Sequence, residues 1–234
     1  MCETTSSAQP RAIMSRSALA AGASAAVLAG GRIADLRRDA WGHGILAVAQ
    51  AVTAAGAERV LVDGRGAVEA LRLEGIEAVT AGEPDVDAYL LYGLPDAQGE
   101  SATRPVMRLT GRVLSTKRLQ PGDAVSYGYT FRAAAKTTVA LVTGGYAQGI
   151  VRALGNRANV EIDGIARPIV GRVAMDVCVV DLEGASAELG AEATYFGGGG
   201  PASAGLARWA AVTGMGVAEL VSVAGAHAAR GWEA

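Results

Sequence analysis

The chain has 234 residues, of which 50% are hydrophobic and 19% charged, so its composition excludes intrinsic disorder and predicts one large domain or two small ones. Its 21 basic and 23 acidic residues give a net charge of −2, and no basic block stands out, which argues against nucleic-acid binding. The two lysines are Lys117 and Lys136, so chemistry that needs a Schiff-base amine has few candidates. Cys2 and Cys178 lie far apart in sequence and predict reduced thiols rather than a disulfide or a zinc site.

The N-terminal region is the first candidate for a targeting segment. Residues 1–10 are polar and end in a proline, which is typical of a disordered tail. Residues 11–31 begin with arginines and continue into an apolar run, as a secretory signal does. The run is built of Ala, Gly and Ser, and it falls short of the roughly 20 apolar residues of a membrane-spanning helix. We therefore expect a first strand and an alanine-rich helix in a cytoplasmic protein without a membrane segment, and we keep a signal peptide as the alternative.

From residue 11 to about residue 93, short apolar runs alternate with helical patterns. Residues 43–56 are apolar at helical spacing and end at a glycine, and residues 66–75 end in the same way. The alternation of strand and helix predicts parallel βαβ units, of which a region this short holds roughly three. The short apolar runs are residues 32–36, 59–62, 76–80 and 89–92.

After residue 100 the pattern changes to strand-like runs separated by Gly, Pro, Asn and Asp turns, which predicts a β domain of hairpins. Two helices, at residues 203–213 and 217–225, are expected to close this domain. The polar stretch 95–103 has the composition of a linker. The strand-like runs are residues 105–116, 124–131, 137–146, 159–164 and 167–182.

Several phrases in the β half occur together in one known family. VSYGYTF at residues 125–131, GGYAQG at 144–149 and RPIVGRVAMDVCVVDL at 167–182 resemble the C-terminal domain of alanine racemase, a pyridoxal-phosphate (PLP) enzyme. In the N-terminal half, LRRDAWGHG at residues 36–44 resembles the family's V-K-A-D-A-Y-G-H-G signature, and residues 11–19 resemble its first strand. This match weighs against the signal-peptide alternative.

The resemblance implies a fold of the α/β plus mainly β class. We expect a disordered tail at residues 1–10, a truncated (β/α) barrel-like part at 11–103 and an alanine-racemase-type C-terminal β domain at 104–234. A complete (β/α)8 barrel takes about 200–250 residues or more, and the chain offers fewer than half that number before the β domain begins. A partial barrel leaves strand edges open, and we therefore expect a homodimer that covers them.

The same resemblance implies an amino-acid racemase that interconverts L- and D-alanine, or a similar small amino acid, with PLP. Family members use two bases on opposite faces of the cofactor: the signature lysine and the tyrosine of the S-Y-G motif, which is Tyr127 here. Met175 matches the position near the substrate carboxylate, with Asp176 beside it. The positions that shape the entry to the active site are matched by Tyr146, Arg152 and Arg172.

Departures from the family pattern concentrate at the positions that contact the cofactor in family members. The signature lysine is Arg37, and a guanidinium stays protonated and forms no Schiff base. Trp41 replaces a tyrosine that supports the cofactor phosphate, and Ala218 falls where another phosphate-contacting tyrosine lies. PLP is therefore expected by resemblance only, and its covalent attachment is not expected.

Two residues of the signature permit two interpretations each. Arg37 could bind an anion at the end of a strand, or form a salt bridge to Asp35 or Asp39. His43 could begin a helix whose N–H groups meet a phosphate, or could be a helix-start residue that binds nothing.

Two function classes remain open. The first is an alanine racemase-like enzyme that is impaired or inactive because the Schiff-base lysine is absent and the barrel is incomplete. The second is a non-catalytic dimeric binding or regulatory protein derived from alanine racemase. A shortened gene product that does not fold alone is a third possibility.

Overall fold

The computed structural model describes residues 9–234, in which the chain divides into two compact units. The predicted architecture of an α/β part followed by a mainly β part is confirmed. Residues 1–8, which hold most of the expected tail and Cys2, lie outside the described residues. Among the described residues, the β unit contains 9–13, 108–220 and 227–231, and the α/β unit contains 14–107, 221–226 and 232–234.

The α/β unit is built on a three-stranded parallel sheet in the order β2-β3-β4. Helix α1 follows strand β1 directly because the side chain of Ser15 caps it, accepting a hydrogen bond from Ala18 N. A Cβ atom at Gly22 would lie 2.3 Å from Leu91 O, so this glycine allows α1 to pack closely on α5. Strand β1 (Arg11–Ser15), which precedes α1 in the chain, pairs in the sheet of the β unit. The elements of the α/β unit are α1 (Arg16–Leu28), β2 (Ile33–Asp35), α2 (Arg37–Trp41), α3 (Ile45–Ala55), β3 (Arg59–Leu61), α4 (Arg65–Leu73), β4 (Ala78–Val79) and α5 (Ala88–Tyr92).

Helix α5 differs from the strand and helix alternation that the sequence suggested, because the apolar run at residues 89–92 is helical. The Asp87 side chain caps the helix by accepting from Tyr89 N and Leu90 N, and Gly93 ends it in the left-handed conformation. These two caps enforce a single helical turn on residues whose apolar character alone fits either element.

The outer edge of β2 is covered by the chain itself. The carboxylate of Asp85 accepts hydrogen bonds from Arg32 N at 2.7 Å and Ile33 N at 2.6 Å. In return, the backbone N–H groups of Asp85 and Val86 donate to Ile33 O. A strand edge that would otherwise present unpaired donors and acceptors is thereby satisfied without another strand.

The β unit is a closed antiparallel barrel of six strands. Strands β5, β8, β11, β10, β9 and β12 pair in that order, and β12 pairs back onto β5. Strands β1 and β13 extend the sheet beyond β5. A two-stranded ribbon of β6 and β7 follows β5 along the chain. The strands are β5 (Met107–Leu119), β6 (Ala124–Val125), β7 (Phe131–Arg132), β8 (Thr137–Thr143), β9 (Asn159–Ile162), β10 (Ile165–Val170), β11 (Val177–Asp181), β12 (Glu192–Phe196) and β13 (Ala229–Glu233).

Strand β12 closes the barrel and was not among the strand-like runs found in the sequence. Its Tyr195 is fully buried, and the Tyr195 hydroxyl donates to Thr143 O at 2.7 Å and contacts Cys178 Sγ at 3.2 Å. Trp209 packs edge-on against both Tyr195 and Phe196. Large buried side chains and a satisfied hydroxyl therefore hold the closing strand.

Two C-terminal helices, α6 (Gly205–Thr213) and α7 (Val217–His227), lie where the sequence predicted them. Helix α6 belongs to the β unit as expected, whereas residues 221–226 of α7 group with the α/β unit. Among the described residues, no single helix is long and apolar enough to cross a membrane. The segments Pro201–Thr213 and Val217–His227 reach that length and composition only as a pair, bent by 112° at the break between them.

Candidate functional site

Arg37, which the resemblance assigns to the family's lysine position, is the second residue after β2 and is paired with a carboxylate two residues away. Its Nε donates to Asp35 Oδ1 at 2.8 Å, and its NH2 group donates to Asp35 Oδ2 at 2.7 Å. The hydrogen bonds from Arg37 hold the pKa of Asp35 below its usual range, and Asp35 raises the pKa of Arg37 in turn. Of the two interpretations of Arg37, the structure therefore contains the salt bridge to Asp35.

The signature residues after Arg37 form one turn of left-handed helix. Arg38, Asp39, Ala40 and Trp41 all have φ values of 54–55°. Left-handed backbone costs roughly 1–2 kcal/mol for each residue that carries a Cβ atom. Gly42 continues the turn at φ 81°, and a Cβ atom there would lie 2.8 Å from Gly225 Cα.

Side-chain carboxylates hold this strained turn from both ends. Asp63 Oδ2 accepts from Arg38 N at 2.6 Å, and Asp39 Oδ1 accepts from Ile45 N at 2.8 Å, which caps the start of α3. Strain maintained by such surrounding contacts is a common property of functional loops, and here it lies in the segment that resembles the cofactor-binding signature.

His43 is fully buried behind the turn. Its ring stacks on Tyr92 with 4.1 Å between centroids and 13° between planes, and its Nδ1 lies 3.0 Å from Ala40 O. The backbone N–H of His43 also donates to the Ala40 carbonyl, at 3.0 Å. These contacts direct His43 into the core and match the helix-start interpretation better than the phosphate-contact one.

Tyr92, which the sequence did not single out, completes this aromatic stack. It is 1% exposed, its ring lies 5.6 Å from that of Trp41, and its hydroxyl has no hydrogen-bond partner among the described residues. Burial, and next the charges of Asp35 and Asp39, raise the pKa of Tyr92, so the hydroxyl stays neutral. No sequence signal marks this residue, since it lies in an apolar run with ordinary core character.

In the β unit, the structure brings the other predicted site residues onto one surface, here called the tyrosine surface. It is formed by two 3₁₀ turns, Tyr127–Tyr129 and Tyr146–Gln148, and by the loop between β10 and β11. Tyr127 is 69% exposed and Met175 54% exposed, so neither side chain is part of the core. The predicted residues on this surface are Tyr127, Tyr146, Arg152, Arg172, Met175 and Asp176.

The loop between β10 and β11 holds both turns in place. Ser126 Oγ donates to Arg172 O at the first turn, and the Arg172 guanidinium lies beside Gly128. At the second turn, Tyr146 N donates to Ala174 O at 2.9 Å, and Ala147 N donates to Met175 O at 3.0 Å. Backbone bonds therefore fix the spacing of two exposed tyrosines that are 19 residues apart in sequence.

A cation from the next 3₁₀ turn, Arg152–Leu154, lies over the second turn. The guanidinium carbon of Arg152 lies 5.7 Å from the centroid of the Tyr146 ring, within the range of a cation–π contact. Phenol, guanidinium and thioether groups together can contact a small polar ligand or another protein surface. The catalytic and binding roles of these residues stay predictions.

The residues present do not fit PLP held as a Schiff base. Arg37 offers no free amine, and its guanidinium is bound to Asp35. The lysines lie in the β unit: Lys117 on β5 and Lys136 directly before β8. Trp41 and Ala218, which the resemblance assigns to the positions of two phosphate-contacting tyrosines, supply no hydroxyl.

Comparison with known proteins gives one family. Residues 106–232 match the family model described as alanine racemase, C-terminal domain. Among curated relatives, alanine racemase of Mycolicibacterium vanbaalenii is 42% identical over 118 residues, which are 50% of this chain and 30% of that protein. Alanine racemase of Streptomyces coelicolor is 39% identical over 127 residues, which are 54% of this chain and 32% of that protein. The chain thus spans about a third of the length of these relatives.

Solved structures give the same fold. The alanine racemase from D-cycloserine-producing Streptomyces lavendulae aligns with a TM-score of 0.83 at 20% identity, over 99% of this chain and 98% of that one. The alanine racemase from Bartonella henselae with covalently bound pyridoxal phosphate aligns with a TM-score of 0.77 at 16% identity, over 96% and 99% of the two chains. At these identities the comparison establishes the fold and not the activity.

Proposed function

The chain belongs to the alanine racemase C-terminal domain family. From this premise we propose that it is an alanine racemase-like binding protein that forms a homodimer. We also propose that it does not racemise amino acids through a lysine Schiff base. The observation that carries the proposal is the pairing of Arg37 with Asp35 at the position of the family's lysine. The proposed binding surface is the tyrosine surface of the β unit.

Arg37 cannot take over the work of a lysine for two reasons. A Schiff base needs a neutral amine that adds to a carbonyl, and a guanidinium is protonated at any physiological pH. Asp35 also raises the pKa of Arg37, which moves it further from the neutral form. Proton transfer on the face that the family assigns to its lysine therefore has no base from this residue.

Tyr127 is the second expected base, and its exposure supports a role on a surface. A phenol acts as a base at neutral pH only where a cation or cofactor beside its oxygen stabilises the ionised form. Among the described residues the Tyr127 hydroxyl forms no hydrogen bond, and the nearby Arg172 guanidinium lies beside Gly128. We infer that Tyr127 contributes contacts to a partner surface or a small ligand.

A second copy of the chain is the partner that we propose for the tyrosine surface. Tyr127, Tyr129, Tyr146 and Met175 expose 69%, 65%, 43% and 54% of their area, and tyrosine, methionine and arginine are enriched at protein interfaces. Homodimerisation also agrees with the expectation from the family resemblance. A cytoplasmic location is also proposed from the family resemblance.

An impaired racemase remains the second candidate, and the tyrosine surface is the observation that favours it. Tyr127, Met175 and Asp176 keep the family's residue types on one surface, so a small amino acid with a carboxylate could be bound there. In this case PLP would be held without a covalent bond, and turnover would be slow because one of the two bases is absent.

The deciding experiment is incubation of the purified protein with PLP, followed by desalting, a visible absorbance spectrum, borohydride reduction and peptide mapping. We expect no retained absorbance band and no reduced label. A label fixed to Lys117 or Lys136 would overturn the proposal, and the variants Lys117→Gln and Lys136→Gln identify which lysine carries it. A retained band that disappears on denaturation, without label, would support the impaired racemase instead.

The dimer is tested separately by light scattering at micromolar concentration. We expect a dimer that dissociates in the double variant Tyr146→Glu and Met175→Glu, because both side chains would place a charge in the proposed interface. The matched control is Leu189→Glu, at a residue that is 72% exposed on the same unit but lies outside the tyrosine surface. A monomeric wild-type chain would contradict the dimer.

A further inference from the structure

A cleft on the β barrel, outside the tyrosine surface, has the composition of an anion site. It has a volume of about 760 Å³ and is lined by residues of β5 and β8, by Lys136 just before β8 and by the turn after β11. We call it the Arg118 cleft. It is lined by Thr116, Arg118, Lys136, Thr137, Thr138, Gly184, Ala185 and Ser186.

The two cations of the cleft come from neighbouring parts of the chain. Arg118 is paired directly with Thr138 across the antiparallel β5 and β8 ladder. Lys136 lies in the bend just before β8, two residues from Thr138, and lines the same cleft as Arg118. Two positive charges thus face the same space.

No carboxylate lines this space to neutralise the cations. Neither Arg118 nor Lys136 forms an ion pair with any described residue. The two acids that precede the lining turn have other partners, since Asp181 accepts from the Thr137 hydroxyl at 2.6 Å and Glu183 pairs with Arg167 at 3.0 Å. Two unneutralised like charges in one cleft repel each other, and a bound anion removes that cost.

Hydroxyl groups complete the donor set. Thr116, Thr138 and Ser186 line the cleft with side-chain hydroxyls that form no hydrogen bond with described residues. The turn that carries Ser186 is held against β8, because Gly184 N donates to Thr137 Oγ1 at 3.2 Å. A planar guanidinium, an ammonium and several O–H donors form a set that suits the oxygens of a phosphate group.

We propose that the Arg118 cleft binds a small molecule through a phosphate group, held between the side chains of Arg118 and Lys136. This site shares no residue with the tyrosine surface, so it does not depend on dimerisation or on PLP. It also gives Lys136 a role in ligand binding, because we do not expect this lysine to form a Schiff base with PLP.

The test is a titration of the ¹⁵N-labelled protein with inorganic phosphate at constant ionic strength, followed by amide chemical shifts. We expect saturable shifts confined to residues 116–118, 136–138 and 184–186. The variants Arg118→Gln and Lys136→Gln are each expected to weaken binding by about tenfold, the equivalent of one charge-assisted hydrogen bond.

Lys117→Gln is the matched control, because it removes the same charge from the neighbouring residue on the opposite face of β5. We expect it to leave the affinity within about twofold of the wild-type value, as for an exposed charge outside the site. An equal loss in Lys117→Gln would show a general charge effect and overturn the proposal. Absence of saturable shifts would also overturn it.

Two further ligands define the chemistry. Glycerol phosphate that binds more tightly than inorganic phosphate would identify a phosphate ester as the source, and the reverse order would identify free phosphate. Acetate that competes as well as phosphate does would contradict the assignment to phosphate.

Discussion

The guanidinium of Arg37 and the carboxylate of Asp35 form a two-point ion pair at the carboxyl end of the first parallel strand, with N···O distances of 2.8 and 2.7 Å. Asp35 belongs to the strand itself, and Arg37 is the second residue after it. The charge of Arg37, the residue that the resemblance assigns to the family's lysine position, is therefore neutralised within its own loop.

Restoring the amine is expected not to restore racemisation. In Arg37→Lys, the new ammonium lies beside Asp35, which favours its charged form and opposes Schiff-base formation. We expect no D-alanine from L-alanine above the wild-type background, measured with excess PLP by chiral chromatography. Arg37→Gln is the control for loss of the ion pair alone. Robust activity in Arg37→Lys would show that the remaining site is complete.

The cover on the outer edge of β2 predicts a stability effect at Asp85. Asp85→Ala removes the acceptor for Arg32 N and Ile33 N, and by analogy with helix caps we expect a loss of about 1 kcal/mol in the free energy of unfolding. Chemical denaturation measures this loss. Glu83→Ala, an exposed acid nearby, is the control and is expected to change little. Equal effects of the two variants would contradict the edge-covering role.

The same carboxylate predicts a pH dependence. Hydrogen bonds from Ile33 N and Arg32 N lower the pKa of Asp85 relative to the unfolded chain. Its stabilising contribution is therefore complete above the unfolded pKa of about 3.9 and is lost as the pH falls through the lower folded value. We expect the difference in unfolding free energy between wild type and Asp85→Asn to shrink as the pH falls through this window. A difference that grows on acidification would have the wrong sign.

The left-handed turn predicts an unusual glycine effect. Arg38 has φ 55°, and a residue without a Cβ atom adopts this conformation without strain. We expect Arg38→Gly to unfold with a free energy about 1 kcal/mol higher than Arg38→Ala, which removes the same charge and keeps the strain. Equal stability of the two variants would show that the turn is not left-handed in solution.

The buried thiol predicts slow chemistry. Burial raises the pKa of Cys178 to about 12, so almost no thiolate exists at neutral pH in the folded protein. In a Cys2→Ser variant we expect a disulfide reagent to modify no thiol under native conditions. In denaturant we expect it to modify one thiol per chain, and the absorbance of the released product measures the extent of modification. Fast labelling of the native variant would contradict the packing of Cys178 against Tyr195.

Sequence patterns predicted the elements whose signals are local. Helix α3 has apolar residues at helical spacing and Gly56 as its stop, and the β hairpins have turn residues at their ends. The grouping of Tyr127, Tyr146 and Met175 could be inferred only from the family resemblance, because the bonds that hold their turns together join residues far apart in sequence.

The unpredicted features depend on tertiary contacts. Strand β12 is short, begins with polar or small residues and gains its order from the burial of Tyr195 and Phe196. The left-handed turn opposes the intrinsic preferences of Arg38 and Trp41, so local propensity argues against it. The cover on β2 joins Asp85 to residues more than 50 positions earlier.

The covering of the β2 edge by residues 85–86 determines what adding a strand beside β2 would require. The donors and acceptor of Arg32 and Ile33 that would receive a neighbouring strand are already occupied by residues 85–86. A chimera that adds a strand beside β2 must first release this segment, because a strand edge cannot hold two occupants. The β2 edge of the sheet is thus closed by residues of the chain itself.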